Sequence, residues 1–449
     1  MNSPTGRERA LAAVEAALAH VVDADAAEAF LSARSGEYTR FAGERVHQPQ
    51  DIVERQLMVK VVVDGHTVRA ATSRLEDAGA VARSALAKAR GMAGVPASEV
   101  VVATPQEHAD LDLWHQDVEE WDATARSAEA AHAMKTAHAA GARAYGMFGR
   151  AVTELAVATS GGLRAYAAAT EASGALTAKA GQGSSYWCDL GRSVGPLNVR
   201  EAVGRTIEEA ARSREPAELP DGTYDVVLGP IAAAELLHFF GTFGFAGDAA
   251  AEGVGAVARS RGRQLAASLV TVADDALAAV GLPFPFDFEG TAKRRVEFLS
   301  AGRVGEPVSD LASAARLGTP STGHAHIARE ESPHPIPANL HIAPGASSLD
   351  DLVGGIERGV YVQRFWYTRV VDQEETTITG VSRDGCFMIE NGSIAGPVAG
   401  KRFTESVLGL LSRVDAVGSA VATQPLMNVW NGCATAPALR VRGFRFGPA

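Results

Sequence analysis

Cysteine is almost missing from this chain: Cys188, Cys386 and Cys433 are the only three in 449 residues. So sparse and odd a set builds no disulfide framework and points to a reducing, cytoplasmic setting. Lysine is nearly as scarce, with six among 42 basic residues. Together with abundant Ala and Gly, this reads as the codon bias of a GC-rich genome, not as a demand for guanidinium chemistry. Positive charge as a whole is in deficit, and the formal net charge is -11. A nucleic-acid partner is therefore not expected, because its electrostatic footprint is lacking. The first residues, Met-Asn-Ser-Pro-Thr-Gly-Arg-Glu-Arg, lead into an amphipathic stretch with acids in it and offer no apolar signal-peptide core. The longest apolar run, Leu228 to Gly247, is long enough for a bilayer. Glu235 and His238 interrupt it, so a helix buried inside the protein is expected and no membrane partner. Repeats of solenoid length and low-complexity tracts are also missing.

The hydrophobic content of 46% and charged content of 21% are those of a globular chain with sizeable cores. Leu11, Val14, Leu18 and Val21 recur at helical spacing, predicting a helix over 7–22. Gln56 to Thr72 alternates around Asp64-Gly65, a hairpin turn. Ser73-Arg74-Leu75-Glu76 has the pattern of a capping box opening a helix through about residue 92. Further helices are expected at 122–139 and 199–213, with strands between 142 and 192 hinged at Ser160-Gly161-Gly162. Arg214 to Gly222, with two prolines, charges and a glycine, reads as a linker. The expected domains are therefore 1–215 and 216–449. The second begins with a strand at 224–228 and the apolar helix. Hairpins and short helices near 310–317, 348–357 and 403–413 follow.

Residues 226–248 read VVLGPIAAAELLHFFGTFGFAGD. This resembles the strand, glycine and apolar helix that carry H-E-x-x-x-H and a glycine-aspartate tail in catalytic members of the TldD/PmbA metallopeptidase family. Laid on without gaps, His238 takes the first histidine, Phe239 the glutamate and Phe243 the second histidine. Gly244 and Gly247-Asp248 take the tail. An alternative register with Glu235 as the glutamate loses both histidines and the glycine match. Other segments are similar to the family in order and spacing. They are Ser268–Asp275, ending in paired aspartates, Asp287-Phe288-Glu289-Gly290-Thr291, Thr319–His324, the segment around Asn339, and Asn431-Gly432-Cys433. The likeness covers most of 220–449 and is one of pattern over 20–215. It points to the TldE (PmbA)-type branch of the family.

That resemblance implies a mixed α+β architecture of two domains. An N-terminal sheet-and-helix domain precedes a largely β domain with a buried apolar helix. It also implies a TldD-type catalytic partner that carries zinc and cleaves unfolded peptides or peptide-like amide intermediates, as in natural-product biosynthesis. This chain would wall the chamber without catalysing. The chemistry of the residues agrees. A hydrolytic zinc needs about three protein ligands and a carboxylate to take the proton of its water. Phenylalanine supplies neither, so no catalytic residue, metal or cofactor is expected in this chain.

Several residues carry two readings. His238 and Cys433 are vestigial metal ligands, or a core histidine satisfied by a backbone carbonyl and a small buried residue. Asp287 and Glu289, two apart on a strand, could shift one another's pKa or serve a turn. His324, Asn339, Phe365 and Trp366 are candidates for substrate contact. For His324, closing a loop is an equal alternative, and for Phe365 and Trp366 strand packing is the blander account. Two other functional classes stay open: an active metallohydrolase using His238, Cys433 and a third ligand such as His324, and a peptide-binding scaffold with no peptidase partner.

Overall fold

The computed structural model describes residues 4–92, 102–327, 333–427 and 429–447. The N-terminal half forms one antiparallel sheet from β1 (Ala26–Gly43), β2 (Arg45–Val63), β3 (His66–Thr72), β4 (Arg143–Thr159), β5 (Arg164–Ala180) and β6 (Gly183–Gly191), in the order β3-β2-β1-β4-β5-β6. Successive side chains point to opposite faces, and both faces are covered. Leu31, Leu57, Val59 and Ala156 pack under helices α1 (Arg7–Leu18) and α2 (Ala78–Arg90). Farther along the same sheet, Phe148 and Leu176 pack with α3 (Gln116–Glu120), α4 (Ala123–Ala139) and α5 (Val199–Arg212). Their neighbours in sequence, Phe30, Met58, Leu155 and Val157, face the other way onto Phe284, Phe286 and Phe288 of the second half.

The second half contributes β7 (Gly222–Leu228), β8 (Val272–Asp274), β9 (Val296–Ser300), β10 (Arg303–Val304), a small β11–β12 pair (Ala325–His326, His334–Pro335), β13 (Asn339–Ile342), β14 (Arg358–Asp372), β15 (Thr377–Glu390), β16 (Ser393–Pro397), β17 (Arg402–Ser406), β18 (Val414–Pro425) and β19 (Cys433–Phe446). The main order is β10-β9-β8-β13-β19-β17-β15-β14-β7. β7 pairs with β14 on one side and β19 on the other, so five strands close on themselves and lose their open edges. Helix α6 (Pro230–Gly244) fills the core beside this ring. Short helices α7 (Gly247–Ala251), α8 (Gly255–Ser260), α9 (Leu311–Leu317), α10 (Leu349–Gly354) and α11 (Val407–Ser412) occupy the connections. The fold is thus the mixed α+β class expected.

Local departures have local causes. The first helix stops at Leu18, four residues short of the expected end. Ser73 opens no capping box: Thr72 Oγ1 accepts from Arg74 N, a 3-10 turn covers Leu75–Asp77, and the helix begins only at Ala78. The stretch 403–413 is half strand, and α11 starts after Ser406, whose hydroxyl accepts from Gly409 N. The expected hairpin at Asp64-Gly65 is present with both residues at positive φ, 50° and 74°, which a two-residue turn of matching twist requires.

Candidate functional site

Three neighbouring strands bring the family-like segments together. In the pairing of β13 with β19, Asn339 stands opposite Cys433; in that of β13 with β8, Leu340 stands opposite Asp274. Asn339 Oδ1 accepts from Leu282 N at 3.1 Å and from the Cys433 thiol at 2.7 Å. Its Nδ2 donates to the Asp275 carbonyl at 2.7 Å. Cys433 is fully buried between Leu190 and Leu282. Burial pushes its thiol well above the usual range. It is therefore a protonated donor to an amide, not a thiolate ready for a metal.

Asp274 is fully buried, and its Oδ2 accepts from Ala338 N and Asn339 N at 2.5 and 3.0 Å. Its Oδ1 lies 3.2 Å from His324 Nε2, at ion-pair distance but outside hydrogen-bond geometry. Burial alone would raise this carboxyl, but His324 and Lys293 outweigh it and hold the acid far below the usual range. The other ring nitrogen, Nδ1, faces the Thr322 carbonyl at 2.8 Å. His324 and Asn339 are fully or almost fully buried, so neither presents itself to a substrate. Their work is to tie β8, β13 and the 319–324 loop together.

Asp287 and Glu289 sit on a turn closed by Gly290 N to the Asp287 carbonyl, not on a strand. Asp287 Oδ1 accepts from Glu289 N and Thr291 N, and Oδ2 from Ala325 N. Glu289 reaches Lys60 Nζ of β2 at 3.3 Å and the Leu311 N–H that opens α9 at 2.9 Å. Burial raises both carboxyls, and Glu289 adds to the rise of Asp287. The turn duty is thus real. What the sequence reading missed is Lys60, which also pairs with Glu28 at 2.8 Å and so links the first sheet to this turn. Two of the six lysines, Lys60 and Lys293, are buried. The run Leu-Met-Val-Lys-Val-Val-Val carried that signal.

On α6, Gly229 caps the start and Pro230 takes the first turn, where its missing N–H costs nothing. Gly241 lets the helix press on β13, since a Cβ there would meet Leu340 at 2.6 Å. Phe239 and Phe243 are one turn apart and stack at 6.2 Å with 9° between their planes. Phe239 is buried, whereas Phe243 is 37% exposed. His238 lies edge-on to Phe239 and is buried, but among the described residues its Nδ1 finds no partner. The backbone carbonyl expected to satisfy the ring does not reach this nitrogen.

Burial pushes His238 down to about 4. The folded state therefore resists a proton that the unfolded chain accepts from about 6.5 downward. Its depressed value removes stability as pH falls between these limits, accumulating to about 3 kcal/mol. His238→Leu is expected to flatten this part of the profile, read from urea midpoints at pH values on either side of the window.

Among the described residues, no group of three or more His, Cys, Asp or Glu side chains is placed to hold a metal ion. The positions His238, Phe239, Phe243 and Cys433 do not fit the zinc that an H-E-x-x-x-H helix would carry. The last two candidates separate. Phe365 is 2% exposed, packs at a tilt against Phe403 and stacks on Phe444 in the core. Trp366 is 46% exposed. A cavity of about 660 Å³ opens between the halves and is lined by Arg34, Glu171, Leu282, Trp430 and Gly432 among others, but not by His238 or Cys433.

Residues 221–448 match the sequence profile of the PmbA/TldA metallopeptidase C-terminal domain. The chain belongs to the PmbA/TldD family. It is 26% identical over 222 residues to a metalloprotease of Methanothermobacter thermautotrophicus, covering 49% of this chain and 48% of that one. It is 25% identical over 263 residues to metalloprotease PmbA of Escherichia coli O157:H7, covering 58% and 54%. The match thus spans about half the length of these relatives. The fold likeness is wider: the crystal structure of TldE from Thermococcus kodakarensis superposes with a TM-score of 0.86 at 18% identity, over 97% of this chain and 99% of that one. Among the described residues, no helix is long and apolar enough to cross a membrane.

Proposed function

We propose that this chain is a TldE/PmbA-like subunit that does no chemistry itself and pairs with a TldD-type chain to form a peptidase. The partner carries the zinc, and this chain forms the facing wall of the chamber that admits unfolded peptides or amide-bearing biosynthetic intermediates. The carrying observation is the stacked Phe239–Phe243 pair on α6, standing where a general base and a second histidine would have to be. The hydrogen bond from Cys433 to Asn339 supports the same reading, because it occupies the remaining candidate ligand. All three cysteines are free and buried, which suits a cytoplasmic enzyme.

The experiment mixes purified subunits. Alone, this chain is expected to hold no stoichiometric zinc by elemental analysis and to leave unstructured peptides uncut. With a TldD-type subunit it should co-elute on size exclusion and raise chelator-sensitive cleavage. Chelator-sensitive turnover by this chain alone would overturn the assignment in favour of an active metallohydrolase. Peptide binding without any complex would favour a scaffold.

A further inference from the structure

A second pocket, of about 330 Å³, lies where the first sheet meets the β14–β15 hairpin, lined by Tyr145, Lys179, Tyr186, Arg364, Trp366 and Arg383. Its charge runs against that of the molecule. In a chain of net charge -11, three cations converge here. The single carboxylate among them, Asp384, is buried, and its hydrogen bonds face inward. Its Oδ1 accepts from Ser184 Oγ at 2.6 Å, and its Oδ2 faces Arg364 Nη1 at 3.1 Å and Arg383 Nε at 2.9 Å. Asp384 thus orients both guanidinium groups without using them up. Among the described residues, no hydrogen bond takes up the Nη groups of Arg383 or the Lys179 ammonium.

Aromatic rings hold the arrangement in place. The Arg364 guanidinium lies 3.6 Å from the Tyr186 ring centroid and 4.6 Å from that of Trp366. That of Arg383 lies 5.5 Å from Trp366. Such stacking removes the freedom that a long side chain otherwise loses on binding. The backbone is bent to present this wall. The β14–β15 register slips between Trp366 and Arg369, and Tyr367 adopts φ 57°, so two successive aromatic side chains face outward. A positive φ at an aromatic residue is a strained state that persists where the surroundings enforce it.

We propose that this pocket is an anion subsite that takes a carboxylate of an extended peptide, with Arg383 and Lys179 as the binding groups and Trp366 as an apolar wall for the neighbouring residue. Guanidinium forks match planar carboxylates, and the charge-assisted bonds they form are the strong ones. The ligand's identity as a peptide rests on the functional reading above. The anion chemistry rests on the pocket alone.

The test uses this chain without any partner, so its failure and the failure of the two-subunit reading are separable. Fluorescently labelled unstructured peptides carrying Phe beside Glu residues are titrated by anisotropy, against counterparts with Gln for Glu and with an amidated C-terminus. The Glu peptide should bind more tightly as salt falls. Arg383→Gln should weaken it about tenfold, as the loss of a charge-assisted contact does, and Lys179→Gln should add to that. Lys179 is exposed and Arg383 half-buried, and Arg364 still pairs with Asp384 in the Arg383→Gln variant, so near-parent circular dichroism and melting are expected and separate lost binding from lost folding. If amidation rather than Glu→Gln abolishes binding, the carboxylate taken is the chain terminus. Equal affinity for the Glu and Gln peptides with no effect of amidation, or an Arg383→Gln variant that binds as the parent does, would overturn the proposal.

Discussion

Replacing Lys60 by methionine is expected to lower the free energy of unfolding by about 3–5 kcal/mol, the cost of stripping a buried charge of its partner. Lys60 is only 4% exposed. Its ammonium lies 2.8 Å from Glu28 and 3.3 Å from Glu289. Burial alone would lower its pKa, but the two carboxylates outweigh this and raise it. Methionine matches the length of the stem but leaves two buried carboxylates with no cation. Glu289, already raised by burial, would then take a proton to stay in place. The sign of the pH dependence follows. A carboxyl raised above its unfolded value favours the fold while protonated, and that contribution is lost as pH rises. The deficit of the variant should therefore be larger at pH 8 than at pH 5. Adding Glu28→Gln and Glu289→Gln should recover part of the loss, because neutral amides tolerate burial better than unpaired charges. Urea denaturation of the single and triple variants at both pH values is the measurement. A loss below about 1 kcal/mol for Lys60→Met, the range of an exposed ion pair, would show that water reaches the cluster.

Lys60 also marks how far the sequence could be read. The alternation of Leu57, Val59, Val61 and Val63 announced a strand with one face in a core. The distal half of the same strand, from Arg45 to Glu54, is mostly exposed and shows no alternation. It is a strand because β1 pairs with it through nearly its whole length, from Ala26 opposite Val62 to Ala42 opposite Arg45. Backbone pairing leaves no mark in side-chain pattern, so the long hairpin stayed invisible. The family-like segments were legible as residues but not as neighbours. Asp274, Asn339 and Cys433 are separated by 65 and 94 positions, and only the β8-β13-β19 order sets them side by side. Phe365 and Trp366 could not be told apart, because a bulge decides which of two successive aromatics faces the core. His238 is buried in the core beside α6's phenylalanines, but whether an acceptor reaches its Nδ1 depends on tertiary packing that residue spacing does not carry.

Rebuilding the motif with Phe239→Glu and Phe243→His is expected to yield a less stable protein with no tight zinc site. Helix α6 runs as regular α-helix from Pro230 to Gly244. Residues five apart on such a helix lie roughly 140° from one another around its axis. The burial follows that geometry: His238 is 6% exposed and Phe243 37%. Two histidines could converge on one ion only if the helix widened between them. Gly241, the natural place for widening, is pressed against Leu340. The new glutamate would replace a phenylalanine that is 5% exposed, stacked on Phe243 and edge-on to His238. An unpaired carboxylate there costs on the order of several kcal/mol, or keeps its proton and cannot serve as a base. Among the described residues, the groups that orient ligands in working metal sites are also missing, since Cys433 is spent on Asn339 and His238 Nδ1 has no partner. Calorimetric melting and zinc titration of the double variant decide the matter. A clear fall in melting temperature with zinc binding no tighter than the parent is the expected pair of results. Full thermal stability together with tight, stoichiometric zinc and peptide cleavage would mean that α6 can open at Gly241, and that the phenylalanines alone stand between this chain and catalysis.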